Sequence, residues 1–233
     1  MDAENGRFVG TASRKPAYQN YPMIAELSKR VPCDTIRMEN DAKAAALGEM
    51  AAGGARDLSN FIFLGVGTGI GGAIIMDGHP LCGQDHSAGH FGRFIVRNPQ
   101  PSGPAFLTLE ELASGSGMEA RTAALLAAGR QSTLAAPIHA KDVFSAAGEG
   151  DVLAVGVVED AASSLASVLS GLVCTLGVQS IVIGGGVAVK NPGWVQDLIR
   201  IYREISPKLS GDALFRMAQL GENAGLIGAA TLV

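Results

Sequence analysis

The stretch Phe61-Ile-Phe-Leu-Gly-Val-Gly-Thr-Gly-Ile-Gly-Gly-Ala-Ile-Ile75 decides how the rest of the chain is read. Phe61–Val66 and Ala73–Met76 are short aliphatic and aromatic runs, the composition of buried strands. Between them lies Gly67-Thr68-Gly69-Ile70-Gly71-Gly72, and Asp77-Gly78 marks the next turn. A glycine-rich turn of this kind can aim several backbone N–H groups, with the Thr68 hydroxyl, at an anion such as phosphate. No Gly-Lys-Thr/Ser follows, which excludes a Walker loop. A strand follows the glycines where a dinucleotide-binding turn needs a helix. A plain glycine-rich hairpin fits the same residues, and the pattern alone leaves both readings open.

Upstream, Thr35–Met38 alternates like a short strand that delivers Asn40-Asp41 at its C-terminal end. The alanine-rich segment Ala42–Ala52 then reads as a helix closed by Gly53-Gly54. Asn and Asp cap helices routinely, while a carboxylate at a cleft can act as general base toward a hydroxyl. Pro22–Arg30 has helical spacing, and the chain before about Asn20 reads as turn and extended, with Asn5-Gly6 a turn pair.

Downstream, a loop from His79 to Pro104 carries His86, His90 and Arg93. Without a His pair on a convincing helix, this loop reads as hydrogen-bonding to a polar ligand, or as plain surface loop, sooner than as a metal site. Leu109–Gly129, Asp142–Ala147 and Asp151–Leu176 read as helices, the last capped by its aspartate. Ser180–Ile183 is a strand running into Gly184-Gly185-Gly186, where bare backbone can lie against a planar or ribosyl ligand or simply turn tightly. Trp194–Ile205 is an amphipathic helix, and apolar Gly225–Val233 reads as a docked one. Strands interleaved with helices make the class α/β.

Composition narrows the function classes. The chain has 233 residues, 47% hydrophobic and 17% charged, as a packed domain requires. A net charge of −4, with acids and bases scattered, argues against a general nucleic-acid binder. Cys33, Cys82 and Cys174 lack CxxC spacing, so neither a zinc cluster nor a disulfide framework is indicated, and a reducing cytoplasm suits them. The most apolar long stretch, Val152–Val178, is interrupted by Glu159, Asp160 and serines, so no membrane span is expected. Glycine, at 31 residues, is well above the usual ~7% and gathers at strand ends.

Taken in order, these segments resemble the ROK family of bacterial sugar kinases and sugar-responsive repressors. The resemblance runs through Asn40-Asp-Ala-Lys-Ala-Ala-Ala-Leu-Gly-Glu49, Leu64–Gly78, Ala88-Gly-His-Phe-Gly-Arg93, Leu109-Glu-Glu-Leu-Ala-Ser-Gly115, Ile183-Gly-Gly-Gly186 and Gly221-Glu-Asn-Ala-Gly-Leu-Ile-Gly-Ala-Ala230. It implies an actin-like, ribonuclease H-like sugar kinase fold of two lobes, with ATP, Mg2+ and sugar meeting in the cleft, and a homodimer. Residue by residue, Asp41 matches the catalytic base and Asn40 a sugar ligand. Glu110 matches a sugar-binding carboxylate, with His90 and Arg93 in the sugar-binding loop. Gly67, Thr68 and Gly69 match a phosphate-binding turn, and Gly184, Gly185 and Gly186 the adenosine-contacting strand end. The implied division is residues 1–39 as the remainder of a small lobe, 40–218 as the large lobe, and 219–233 as a helix returning to the small lobe. Glucose-like or N-acetylhexosamine substrates are expected, with no membrane and no nucleic acid engaged by this chain. The alternatives are a sugar-binding regulator without catalysis and an inactive remnant.

Departures from the family pattern carry expectations of their own. His90 stands where the family has a glutamate; a carboxylate accepts at both oxygens, whereas neutral imidazole offers one acceptor and one donor. Arg93 replaces a zinc-binding histidine, and Pro99–Leu109 holds no cysteine, so no zinc is expected there. No Asp-x-Gly-Gly-Thr hairpin occurs, and the resemblance starts at about Asp2–Gly6. The expectation is an incomplete first lobe without its first phosphate loop, and weak or absent kinase activity from these residues alone.

Overall fold

A computed structural model describes residues 6–7, 20–84, 86–100, 103–206 and 213–232. The central strand, β1 (Phe61–Val66), pairs antiparallel with β2 (Ile70–Met76) and parallel with β6 (Ser180–Gly184). β3 (His79–Pro80) and β7 (Leu214–Met217) complete a sheet ordered β3-β2-β1-β6-β7. A separate ribbon joins β4 (Ile95–Arg97) to β5 (Phe106–Thr108).

Side chains alternate across a strand, and β1 uses both faces. Ile62, Leu64 and Val66 enter the larger core, whereas Phe61 and Phe63 enter a second one. Burial on both sides explains why this strand is apolar without alternation. The larger core is completed by α3 (Leu109–Ala113), α4 (Gly115–Ala127), α5 (Ala140–Gly148), α6 (Val152–Leu176) and α8 (Pro192–Ile205). Asp151 caps α6 by accepting from the Ala154 N–H at 3.0 Å, and Gly177 ends it with a φ of 67°. By length and composition α6 could cross a membrane; in the fold, its Val157, Leu165 and Leu169 are core residues.

The smaller core lies under α2 (Asp41–Ala52), which α9 (Ala224–Ala230) crosses at very short range. A Cβ on Gly48 would stand 2.1 Å from the Ala224 carbonyl oxygen, and one on Gly228 1.6 Å from that of Ala44. Only glycine allows this approach. Arg216 on β7 grips both carboxylate oxygens of Asp57 and donates to the Gly54 carbonyl at 3.2 Å. That guanidinium hydrogen bond, foremost, holds the Asp57 carboxyl down at about 2.

Several expectations are corrected. Leu109–Gly129 is two helices, because Ser114 leaves the helical conformation and its side chain caps α4 through the Gly117 N–H at 3.0 Å. Residues 35–38 form no strand, having no ladder partner among the described residues. β3, β4, β5, β7 and the short α7 (Gly186–Lys190) were not anticipated. α1 (Met23–Ser28) falls within the expected helix. Asn5 and most of the opening segment lie outside the described residues.

Candidate active site

A cavity of about 790 Å3 opens where β1 and β6 end and β2 and α2 begin. Asn40, Asp41, His90, Arg93 and Glu110 line it together with Gly67, Gly69, Gly185 and Gly186. Residues as distant in sequence as Asn40 and Gly186 are thus gathered at one crevice, at the carboxyl ends of parallel strands β1 and β6 where α/β sheets commonly bind ligands.

Asp41 is the first residue of α2 and is exposed to the cavity. The cap itself is Asn40, whose Oδ1 accepts from the N–H groups of Ala42 at 3.0 Å and Lys43 at 3.3 Å. Asn40 therefore spends its oxygen on the helix, leaving its amide N–H groups for a ligand, while one Asp41 oxygen accepts from Ala42 N–H at 2.8 Å. Glycine at 71 brings this helix end against β2, since an added Cβ would lie 3.1 Å from Ala42 Cβ.

His90 and Arg93 flank the buried ring of Phe91, which fills the space left by glycine at 72. The anchored ring presents both polar neighbours at the cavity rim. Partial burial is the chief reason the His90 imidazole titrates below its ordinary value of 6.5; the charges of Arg93 and Lys43 push the same way, and Asp41 opposes them. His90 is held toward the neutral form.

Glu110 serves the turn after β1. Its Oε2 accepts from the Ile70 N–H at 2.8 Å, which leaves Oε1 toward the cavity. The starts of α4 also brace this turn: Gly115 N–H donates to the Gly67 carbonyl at 2.8 Å, and Ser116 N–H to that of Thr68 at 3.2 Å. Gly67 N–H is spent within the turn on the Gly69 carbonyl at 2.9 Å. Thr68 is exposed at the tip and does not line the cavity. Gly184 is likewise buried in β6 and absent from the lining, where an added Cβ would meet Ala218 at 2.8 Å.

Sequence reasoning assigned no role to Glu49, Lys190, Ala218, Gly221 and Glu222, which also line the cavity. Glu49 is fully buried, yet its carboxylate accepts from the N–H groups of Gly54, Gln219 and Leu220 at 2.7–3.0 Å. A buried carboxylate so satisfied ties the helix bearing Asp41 to the 218–221 segment across the cavity. The pair Gly53-Gly54 after Glu49 was the available signal, because a Cβ at 53 would collide with the Glu49 carboxylate at 2.0 Å.

The ROK family model matches residues 6–233. A glucokinase of Halalkalibacterium halodurans is 32% identical over 227 residues, covering 93% of this chain and 68% of that protein. The crystal structure of the ROK hexokinase from Thermus thermophilus superposes with a TM-score of 0.81 at 30% identity, over 99% of this chain and 74% of that one. A ROK family glucokinase from Streptomyces griseus, solved with glucose and AMPPNP, gives 0.72 at 27% identity, over 93% and 73%. The architecture is that of the actin-like sugar kinases, a mixed sheet with helices on both faces. This chain belongs to the ROK family.

Proposed function

We propose that this protein transfers a phosphoryl group from ATP to a hydroxyl of a sugar, in the manner of a glucokinase or an N-acetylhexosamine kinase. The observation that carries this reading is the exposed carboxylate of Asp41 facing the same cavity as Gly67, Gly69, Gly185 and Gly186. The glycine backbone fits a nucleotide: at Gly185 the chain turns with a φ of 86° against the Val66 carbonyl, leaving bare main chain toward the cavity. ATP supplies the transferable phosphoryl group, and Mg2+ is expected to travel on its phosphates.

Asp41 accepts the proton of the attacking sugar hydroxyl. Asn40, Arg93 and the free oxygen of Glu110 orient the sugar, and neutral His90 adds one acceptor. General-base assistance is worth on the order of 10²–10⁴ in rate. The lobe division at residues 1–39, 40–218 and 219–233 and a homodimeric state belong to the same reading.

The test is ATP-dependent phosphorylation of glucose, N-acetylmannosamine and related sugars by the wild-type chain and by Asp41→Asn. We expect kcat to fall by about 10²-fold or more in the variant with sugar binding retained. Wild-type activity that survived the substitution would remove Asp41 as the base. Sugar binding without turnover in the wild type would favour a regulator, and the absence of cooperative unfolding an inactive remnant.

A further inference from the structure

Outside the cavity lining, Glu39, Cys82 and His86 bring a carboxylate oxygen, a thiol sulfur and an imidazole nitrogen within 4.8 Å of one another. The three come from two segments. Glu39 directly precedes Asn40-Asp41, and Cys82 and His86 lie on the loop that leads to His90. Each is half-buried.

The backbone and side chain of His86 are both held in unusual states. Its φ is 58°, a left-handed conformation uncommon for a residue other than glycine. Its carbonyl accepts from the buried ammonium of Lys43 at 3.0 Å, which fixes the residue in place. Its Nδ1 is buried and has no hydrogen-bond partner among the described residues. A buried imidazole nitrogen without a partner is costly, and strain of this kind gathers at ligand sites. The neighbouring thiol and carboxylate give that imidazole ring a use.

We propose that Glu39, Cys82 and His86 form a site for one divalent cation of the Zn2+ class, with its fourth position left to water. Mixed thiolate, imidazole and carboxylate donors suit Zn2+ better than hard ions such as Mg2+. Binding converts the Cys82 thiol to thiolate, and its proton passes to solvent. The Cys82 sulfur lies 3.4 Å from the Pro80 carbonyl and gives up that weak contact. Lys43 opposes the cation, its Nζ lying 3.9 Å from the Glu39 carboxylate. Thiolate and carboxylate together outweigh that single charge. The ligands differ from the family's histidine and cysteine zinc site, whose residues this chain lacks. The proposed ion would clip the 82–90 loop to the entry of α2, and it does not depend on the phosphoryl-transfer reading.

The experiment uses the full chain carrying Cys33→Ser and Cys174→Ser, so that Cys82 is the remaining one of three cysteines. After chelator treatment and dialysis, Co2+ is titrated in. A thiolate-to-cobalt charge-transfer band should saturate at one ion per chain and be displaced by Zn2+. Adding Cys82→Ser should abolish the band, and Glu39→Gln or His86→Asn should weaken Zn2+ at least ~10-fold by calorimetry. Asn tolerates the left-handed backbone, and unchanged unfolding of metal-free His86→Asn serves as the folding control. Zn2+ should also raise the parent's unfolding midpoint and leave that of His86→Asn unmoved. A missing band, or Zn2+ affinity indifferent to both Glu39→Gln and His86→Asn, would overturn the site.

Discussion

The two glycine turns at the cavity end neighbouring parallel strands, yet they are built on different principles. The turn after β1 is held by polar bracing, from the Glu110 carboxylate on Ile70 N–H and from the first N–H groups of α4 on its carbonyls. The turn after β6 is held by backbone fit: Gly185 has a φ of 86°, and an added Cβ would lie 2.4 Å from the Val66 carbonyl oxygen. Polar bracing leaves the first turn adjustable through one side chain. The second depends on the absence of one.

The largest effect should therefore come from Gly185→Ala. Its Cβ meets main chain, which cannot swing aside, and the left-handed φ adds strain of about 1–3 kcal/mol. We expect thermal unfolding about 2–4 °C lower per kcal/mol lost and ATP affinity reduced at least ~10-fold, measured by nucleotide titration. A variant of wild-type stability and affinity would erase the contrast between the turns.

Glu110 comes next. In Glu110→Ala the buried Ile70 N–H loses its acceptor, a cost of about 1–3 kcal/mol. Glu110→Gln keeps an acceptor oxygen, so stability should return while the sugar KM stays raised. Equal loss in both variants would show that charge, and not the acceptor, shapes the turn. Gly69→Ala should be milder than Gly185→Ala, because its Cβ would press on the Glu110 Oε2 at 2.6 Å, the movable tip of a side chain. Combined with Glu110→Ala, its cost should shrink further, a non-additivity readable from a double-mutant cycle. No such partner exists for residue 185, whose obstacle is the chain itself.

Much of this was legible in the sequence where burial leaves a long one-sided pattern. β1 and β6 are apolar runs that end in glycines, and the Asp151 cap and Gly177 bracket α6. Asn40-Asp41 could be placed at the head of a helix, although the residues did not say which of the two caps it; geometry assigns the cap to Asn40 and leaves Asp41 exposed to the cavity with one oxygen on the Ala42 N–H. Three-residue strands such as β4 and β5 are too short for periodicity to register, and alternation at 35–38 has no strand to pair with among the described residues. Ser114 looked like a residue within a helix because a cap between two abutting helices leaves no break in composition. The meeting of Glu39 with Cys82 and His86 spans more than forty positions, and only tertiary packing brings such residues together.

The smallest effect should be the most diagnostic of which side of the cavity takes the sugar. His90 stands on the side of the β1 turn, where Gly92 packs on Glu110, and its imidazole titrates below 6.5 mainly because it is partly buried. The depressed folded value means the folded chain binds this proton less readily than the unfolded one. Its contribution to stability is therefore present above pH ~6.5 and declines as the pH falls through the folded value. Protonation also removes the ring's acceptor, worth about 0.5–1.5 kcal/mol to a bound hydroxyl. The sugar KM should thus rise some 2- to 10-fold as the pH falls through the depressed folded value, while the ATP KM, which the proposed function assigns to the β6 turn, should keep its own profile. His90→Gln retains an acceptor that does not titrate and should flatten the sugar profile alone. A flattening of both profiles would mean that the two turns serve one ligand, and would dissolve the division of labour between them.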